Sequence, residues 1–311
     1  MNNTFDMHCP SYDQVMSGTA LVGQGGELAL TGKGDRSARD YGHPIDANII
    51  KILDMPIVNN VFKGIVDIMM DVSVGQKLAS GVPVSADSFP EINEILEHCV
   101  KTLRIRRPET IITSSIGFNA GTAGSDESPV LMLGSVLVRA LSREQLCFII
   151  GHECGHIAMG HFMYHNAVSL MGSLSNALPL VGPVVYQAST FAIKAWSRRS
   201  EITADRAGFL CCNDLENSER TLMQLAMGML RTEDTNIDAY IEHSQRYRKG
   251  GILRRFGEYS ADHPLIPKRI QALQLFANSE LYYRVTMQEP PQGVISSDEL
   301  EKAVENLLRV L

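Results

Sequence analysis

The sequence predicts an α+β fold that is mostly helical, with a small mixed sheet packed on one central helix. Two observations support this class. Apolar residues recur at helical spacing through much of 44–107 and again beyond residue 142. Between these regions, 109–117 and 128–141 are rich in β-branched and aliphatic residues, which favours two sheet strands. A chain of 311 residues is long enough to bury a substantial core around such a sheet.

Along the chain we expect three regions. Residues 1–43 form an N-terminal arm, in which TALV and ELALT pair as a β-hairpin around the turn GQGG. Residues 44–285 form the main domain, and 286–311 form a linker followed by an amphipathic helix. The capping box of Ser296 and Glu299 marks the start of that helix. Its apolar face must dock on the same chain or on a second subunit, so a homo-oligomer stays open.

Within the main domain, several helices surround the two strands. FPEINEILEHCVKTLRI carries one apolar stripe, and NAGTAGSDES between the strands predicts a turn. Ser142 and Gln145 form a second capping box, so the central helix begins directly after Ser142. Further helices are expected over 198–212, 218–231 and 265–277.

The segment 166–196 is unusually apolar. It has no charged residue before Lys194, but Pro179 and Pro183 interrupt it. A helix that spans a membrane needs about 20 predominantly apolar residues without such breaks. We therefore interpret the segment as an apolar helical insertion that is buried or lies on a surface. Contact between this insertion and a membrane surface stays open.

The composition limits the partners and the location of the protein. A net charge of −7 argues against nucleic acid as a partner, because phosphate binding needs clustered Lys and Arg. The N-terminal sequence MNNTFDMHCPSYD lacks the basic start and apolar core of a secretory signal. The six cysteines show no disulfide-framework spacing, which favours reduced thiols. We expect a cytoplasmic protein, with a membrane-peripheral position as the alternative.

The pentapeptide HECGH carries the clearest chemical signal in the sequence. Residues four apart on a helix lie within about 40° of each other, so His152 and His156 project from one face. Two such imidazoles can bind one Zn²⁺ ion, and Glu153 can take a proton from a zinc-bound water. Gly151 and Gly155 lower helix stability, which indicates either close helix packing or clearance for a substrate.

Catalytic zinc keeps three protein ligands, so a third one is needed elsewhere in the chain. The spacing HExxHxxGxxH is absent, because Met159 and Phe162 stand where that pattern needs Gly and His. Glu201 and Asp205 in EITAD lie four apart on a predicted helix and share a face. One of them can bind zinc while the other accepts a hydrogen bond from a zinc-binding histidine. Two further histidines on the motif helix are interpreted as solvent-facing or core residues: His161 and His165.

Together, HECGH, SRRSEITADRAG, NAGTAG and DHPLIPKRI resemble the HtpX-type/CAAX prenyl endopeptidase family of gluzincin zinc metallopeptidases, over about residues 85–280. The resemblance implies a zincin-like fold with one Zn²⁺ per chain and Glu153 as the general base. The implied metal ligands are His152, His156 and Glu201. Because 1–140 contains no long spanning helix, the resemblance is to soluble or membrane-peripheral members.

The same resemblance implies further roles. Asp205 orients a zinc-binding histidine, and Arg269 makes an internal ion pair. His263 in DHP donates a hydrogen bond to the oxyanion, which suits the negative charge that amide hydrolysis builds on the carbonyl oxygen. The strand leading into NAGTAG resembles an edge strand on which a peptide substrate pairs through its backbone, a sequence-tolerant mode of recognition. The implied substrate-binding residues are Phe118, Asn119 and Ala120.

The sequence therefore predicts a zinc-dependent endopeptidase that hydrolyses peptide bonds in peptides or unfolded proteins, with a role in protein quality control. The alternative is a catalytically silent zinc-binding scaffold or a chaperone-like binding protein. Glu153 favours the enzyme, because a scaffold needs the three ligands but not the base.

Overall fold

The computed structural model describes residues 41–44, 75, 81–124, 128–161, 182–228, 235–248 and 265–309. Two helix segments among them, 182–195 and 247–248, are described by their backbone alone. The predicted N-terminal hairpin lies outside the described residues, and so does the part of the predicted apolar insertion that precedes residue 182.

The described residues form the following strands and helices. The strands are β1 (Val82–Pro83), β2 (Glu109–Thr113), β3 (Ala120–Gly124) and β4 (Pro129–Gly134). The helices before and at the motif are α1 (Pro90–Leu103), α2 (Ser135–Ala140) and α3 (Arg143–Met159). The helices that follow are α4 (Gly182–Cys212), α5 (Leu215–Met227), α6 (Ile237–Arg248), α7 (Ile266–Ala277), α8 (Glu280–Val285) and α9 (Ser297–Leu308).

The sheet is mixed and has the strand order β1-β2-β4-β3. β2 and β4 run parallel with Ile112 opposite Leu133, whereas β1 and β3 pair antiparallel with β2 and β4 respectively. Successive residues of a strand face opposite sides of the sheet. Ile112 and Leu133 accordingly join the main core, whereas Ile111 and Met132 join a smaller cluster. A mostly helical fold with a small mixed sheet was predicted, and the structure confirms it.

Two predictions in the sheet region are wrong. AGTAG, predicted as part of a turn, is strand β3, because backbone pairing with β4 does not depend on bulky side chains. The segment 135–140, predicted as strand, is helix α2. β4 ends where Gly134 meets the carbonyl oxygen of Gly117 so closely that a Cβ would clash with it. Beyond this point Leu137 and Leu141 are buried at helical spacing.

Helix α3 is the central element of the fold. It begins at the predicted capping box, in which the Ser142 hydroxyl accepts from the Gln145 backbone and the Gln145 side chain accepts from the Ser142 backbone. Helices α1, α4 and α5 and strands β3 and β4 contact it, so nearly all of its residues are buried. Helix α1 contributes its predicted apolar stripe to the core. The buried residues of this stripe are Ile92, Ile95, Leu96, Cys99 and Leu103.

Helix α4 is continuous over 31 residues and is longer than the helix predicted over 198–212. It contacts α3, α1 and α7. Among the described residues, no helix has both the length and the apolar character needed to cross a bilayer.

The C-terminal helix α9 docks on its own chain. It begins at the predicted capping box of Ser296 and Glu299 and buries Leu300, Val304 and Leu308 next to α7. Two glutamates beside this apolar face form ion pairs with arginines of α4: Glu305 with Arg199, and Glu301 with Arg206. Residues 41–43 also contact α4, since Arg206 donates to the carbonyl of Tyr41 and Thr203 accepts from the backbone of His43.

Candidate metal centre

Helices α3 and α4 approach each other through small residues. A Cβ at Gly151 would lie 2.7 Å from the Cβ of Cys211, and a Cβ at Gly155 would lie 2.6 Å from the Cβ of Ala207. Carbon atoms in favourable contact stand about 3.5–4.0 Å apart, so a side chain at either glycine would push the helices apart. Of the two explanations for the motif glycines, close helix packing is the one that the structure shows.

This close approach brings three side chains together between the two helices. The Nε2 atoms of His152 and His156 lie 3.2 Å apart. The carboxylate oxygens of Glu201 lie 3.7 Å from the first of these nitrogens and 3.5 Å from the second. All three side chains are buried. Within the described parts of the chain, they are the one group of His, Cys, Asp and Glu donors close enough to share a metal ion.

The separations of the three donors suit zinc. Ligands at roughly 2.0–2.1 Å from a tetrahedral zinc ion stand about 3.3 Å from one another. The observed distances of 3.2, 3.5 and 3.7 Å are close to this value. Two imidazoles and one carboxylate are also a donor set that zinc accepts, and three donors leave a fourth position open.

Asp205 lies one turn beyond Glu201 on α4 and contacts the first histidine of the motif. Its Oδ1 accepts a hydrogen bond from Nδ1 of His152 at 3.0 Å, which leaves Nε2 directed at the donor group. Arg269 from α7 donates to both oxygens of Asp205, at 2.8 Å from Nε and 2.6 Å from Nη2. Its Nη1 lies 3.0 Å from Glu201. One guanidinium therefore links both carboxylates of α4.

Asp205 and Arg269 stabilise each other's ionised forms. Burial opposes ionisation of Asp205, but the adjacent guanidinium outweighs it and lowers the pKa of this carboxyl below its usual value. Burial also works against the charge of Arg269, yet the carboxylates of Asp205 and Glu201 raise its pKa above the ordinary value. Glu153, buried directly after His152, contributes to the same effect. Three acidic side chains thus surround one fixed positive charge.

His161 is buried, as one of the two predicted alternatives had it, and it lies beside the second motif histidine, which was not predicted. It was interpreted as lying on the motif helix, but α3 ends at Met159 and Gly160 adopts a left-handed conformation with φ 66°. The His161 N–H donates to the carbonyl of His156 at 2.9 Å, so the chain turns back toward the motif. Nδ1 of His161 then lies 2.9 Å from Nδ1 of His156. The signal in the sequence was Gly160, a residue type that commonly ends helices.

The other predicted site residues lie in the sheet, in the core or outside the described residues. Phe118 and Asn119 precede β3, and Ala120 is its first residue. β3 is an edge strand of the described sheet and contacts α3. Phe118 packs partly against the main core, and Asn119 is exposed. Cys154 is fully buried in the main core. Two histidines of the sequence analysis lie outside the described residues, namely His165 and His263.

HECGH on one helix, with a carboxylate from a second helix beside its two histidines, is an arrangement typical of metallopeptidases. Residues 86–277 match the family model described as Peptidase family M48. This match covers more than half of the chain, and the chain belongs to that peptidase family.

Two relatives agree with this assignment. The chain is 25% identical over 258 residues to the plastoglobule-localized metallopeptidase 48, chloroplastic, of Arabidopsis thaliana, an alignment that covers 80% of this chain and 75% of the relative. It is also 25% identical over 228 residues to a protease HtpX homolog of Gemmatimonas aurantiaca, covering 62% of this chain and 78% of the relative. The predicted resemblance to HtpX-type zinc metallopeptidases is confirmed.

Proposed function

We propose that the protein is a zinc-dependent endopeptidase in which His152, His156 and Glu201 hold one Zn²⁺ ion. The observation that carries this proposal is the convergence of two Nε2 atoms and one carboxylate within 3.2–3.7 Å, buried between α3 and α4. Zinc bound there supplies a Lewis acid that polarises the scissile carbonyl and makes water more acidic.

Glu153 is the general base in this proposal. It follows His152 on α3, so its side chain leaves the helix about 100° round from the first imidazole and on the same level. From that position the carboxylate accepts a proton from the attacking water and passes it to the nitrogen of the leaving amine. Arg269 lowers the pKa of the neighbouring Asp205, which keeps this carboxyl in its ionised form.

Asp205 and Arg269 position the metal ligands rather than touching the reacting atoms. An imidazole that binds through Nε2 must carry its proton on Nδ1, and an ionised Asp205 accepts that proton in a hydrogen bond. Arg269 in turn fixes Asp205 and Glu201 through its planar guanidinium.

The substrate is proposed to be an extended peptide that pairs with the edge of β3. In the described sheet, β4 lies on one side of β3, and β3 contacts α3, the helix that carries His152 and His156. Pairing through backbone groups at Phe118, Asn119 and Ala120 would recognise peptides with little regard to sequence. Such tolerance suits unfolded proteins, and we therefore place the activity in protein quality control. His263 is proposed to donate to the oxyanion.

The decisive variant is Glu153→Gln, which removes the base and keeps the size of the side chain. Cleavage of an unfolded protein should fall by about 100-fold or more, whereas zinc content should stay near one ion per chain. The readouts are fluorogenic casein digestion and metal analysis of the same preparations. Glu144→Gln, a matched change in the first turn of the same helix, should leave both values unchanged.

Two results would count against the proposal. If Glu153→Gln cleaves as fast as the wild type, Glu153 is not the base. If the wild type binds zinc and digests nothing, with or without chelator, the catalytically silent scaffold is the better description.

A further inference from the structure

The two histidines of HECGH have different supporting groups at Nδ1. His152 faces the carboxylate of Asp205 at 3.0 Å. His156 faces another imidazole, that of His161, with 2.9 Å between the two Nδ1 atoms. The first contact joins an imidazole to an anion, and the second joins two imidazoles. The second contact has no assigned role in the proposed function.

The short distance between His156 and His161 restricts where the protons can be. If His156 binds a metal through Nε2, its proton must sit on Nδ1, which then donates. Nδ1 of His161 must accept that hydrogen bond, so His161 is neutral there and carries its proton on Nε2. Each ring therefore fixes the tautomer of the other.

The geometry points to His161 as a positioning residue that holds His156 in the tautomer and orientation needed for metal binding. This inference rests on the proposed function, because it concerns the same donor group. His161 would act through His156 and would touch neither the metal nor the substrate.

The fold holds His161 in place from two sides. The turn at Gly160 fixes its backbone, since the His161 N–H donates to the carbonyl of His156. On the other side, the indole of Trp196 packs edge-on against the imidazole, with ring centroids 5.3 Å apart. His161 and Trp196 are 1% and 2% exposed. A side chain enclosed this fully has little freedom to leave His156.

Trp196 also connects this contact to the third donor. It lies on α4, five residues before Glu201. The helix that supplies the carboxylate therefore also packs against the ring that supports the second imidazole. Packing at Trp196 and metal binding at Glu201 are linked through one rigid element, which favours a single arrangement of the donor group.

The test compares His161→Phe with His161→Gln. Phenylalanine fills the space without an acceptor, whereas glutamine offers a side-chain carbonyl that can accept from Nδ1 of His156. Zinc affinity is measured by competition with a chromophoric chelator. Loss of a partner behind a metal-binding histidine typically weakens metal affinity about 10–100-fold, which we expect for the phenylalanine variant. The glutamine variant should bind zinc more tightly than the phenylalanine variant.

Two further measurements separate positioning from general packing. The visible spectrum of the Co²⁺-substituted protein should change in His161→Phe, because the orientation of a ligand ring changes. Unfolding of the metal-free proteins should show similar midpoints for the two variants. His98→Phe is the matched control, since it removes another imidazole hydrogen bond, to the carbonyl of Cys211. It should leave zinc affinity and the Co²⁺ spectrum as in the wild type.

The possible results are distinct. Wild-type affinity and spectrum in His161→Phe would overturn the inference and leave the proposed function intact. Equal losses in the phenylalanine and glutamine variants would also overturn it, because the ring would then matter only for packing. A wild type that binds no zinc would overturn the proposed function itself.

Discussion

Arg269 and Asp205 form a buried pair joined by two hydrogen bonds, at 2.6 and 2.8 Å. The pair connects helix α7, which carries the arginine, to helix α4, which also carries Glu201. Because Arg269 reaches Glu201 as well, helix α7 supports a donor group whose three members come from α3 and α4. The arrangement of the metal ligands should therefore depend on a residue that binds no metal.

Arg269→Met should destabilise the metal-free protein strongly. The change leaves two carboxylates buried without their shared guanidinium, and breaking a buried pair from one side costs about 3–5 kcal/mol. Arg269→Lys should fall between this variant and the wild type, since an ammonium keeps the charge but cannot donate to both oxygens of Asp205 as a planar fork. Urea unfolding measures both effects.

The control for this prediction is Arg220→Met on α5. Arg220 pairs with Glu216 one turn away, and their side chains are 33% and 72% exposed. An exposed pair of this kind contributes about 0.3–0.5 kcal/mol. If Arg220→Met and Arg269→Met lowered the free energy of unfolding by similar amounts, the buried pair would not be a main support of the site.

The second prediction concerns the contact between Gly155 and Ala207. Gly155→Ala should separate α3 from α4, because the new Cβ would lie 2.6 Å from the Cβ of Ala207. Overpacking of this kind costs about 1–3 kcal/mol. It should also weaken zinc binding, because the two histidines lie on α3 and Glu201 lies on α4, so that separating the helices separates the donors. Calorimetry and chelator competition are the measurements.

Adding Ala207→Gly to Gly155→Ala provides an internal check. The double variant moves one methyl group from α4 to α3 and should recover part of the stability and of the zinc affinity. Recovery will be incomplete, because the backbone of Ala204 also lies 3.1 Å from the added Cβ. A double variant that is no better than Gly155→Ala would mean that the helix spacing is set elsewhere.

Several features of the fold followed directly from local sequence patterns. The capping boxes at Ser142 and Ser296 mark helix starts in the structure as predicted. The spacing of four residues placed His152 with His156, and Glu201 with Asp205, on common helix faces, where the structure has them. These patterns act within one or two helical turns, so they are legible without knowledge of the tertiary fold.

The features that escaped prediction depend on long-range contacts. AGTAG has the composition of a turn, and only pairing with β4 makes it a strand. The position of His161 beside His156 depends on the turn at Gly160, which the helical spacing of the motif does not predict. Arg269 was expected in an internal ion pair, but its simultaneous contact with Asp205 and Glu201 requires the packing of α7 on α4.

The third prediction is a pH dependence at the C-terminal helix. Glu305 on α9 accepts two hydrogen bonds from Arg199 on α4, at 2.7 and 2.6 Å, and this contact lowers the pKa of Glu305. Because the pKa is lower in the folded state, the ionised carboxylate stabilises the protein. This contribution is fully present at pH values above the unfolded-state pKa of about 4.3. That contribution is lost as the pH falls through the lower folded value. His43, 3.2 Å from Glu305, adds positive charge when protonated.

Glu305→Gln should accordingly lower the melting temperature at pH 7, and this effect should become smaller as the pH falls toward 3. The effect is small, because the pair is partly exposed and such pairs contribute about 1 kcal/mol or less. Melting curves of both proteins across this pH range give the difference. A difference that grows toward low pH would have the wrong sign for a carboxyl with a lowered pKa.

The last prediction concerns Cys154, the central residue of HECGH. Its thiol is fully buried among core residues, and burial, with the negative charge of Glu153 adding to it, raises the pKa of this thiol well above its usual value. A metal ligand or reactive cysteine needs a thiolate, which these surroundings disfavour. Cys154→Ala should therefore keep about one zinc ion per chain and its peptidase activity, while losing about 1 kcal/mol of stability from weaker packing. Metal analysis, casein digestion and urea unfolding test the three expectations, and loss of zinc without loss of stability would identify Cys154 as a ligand after all.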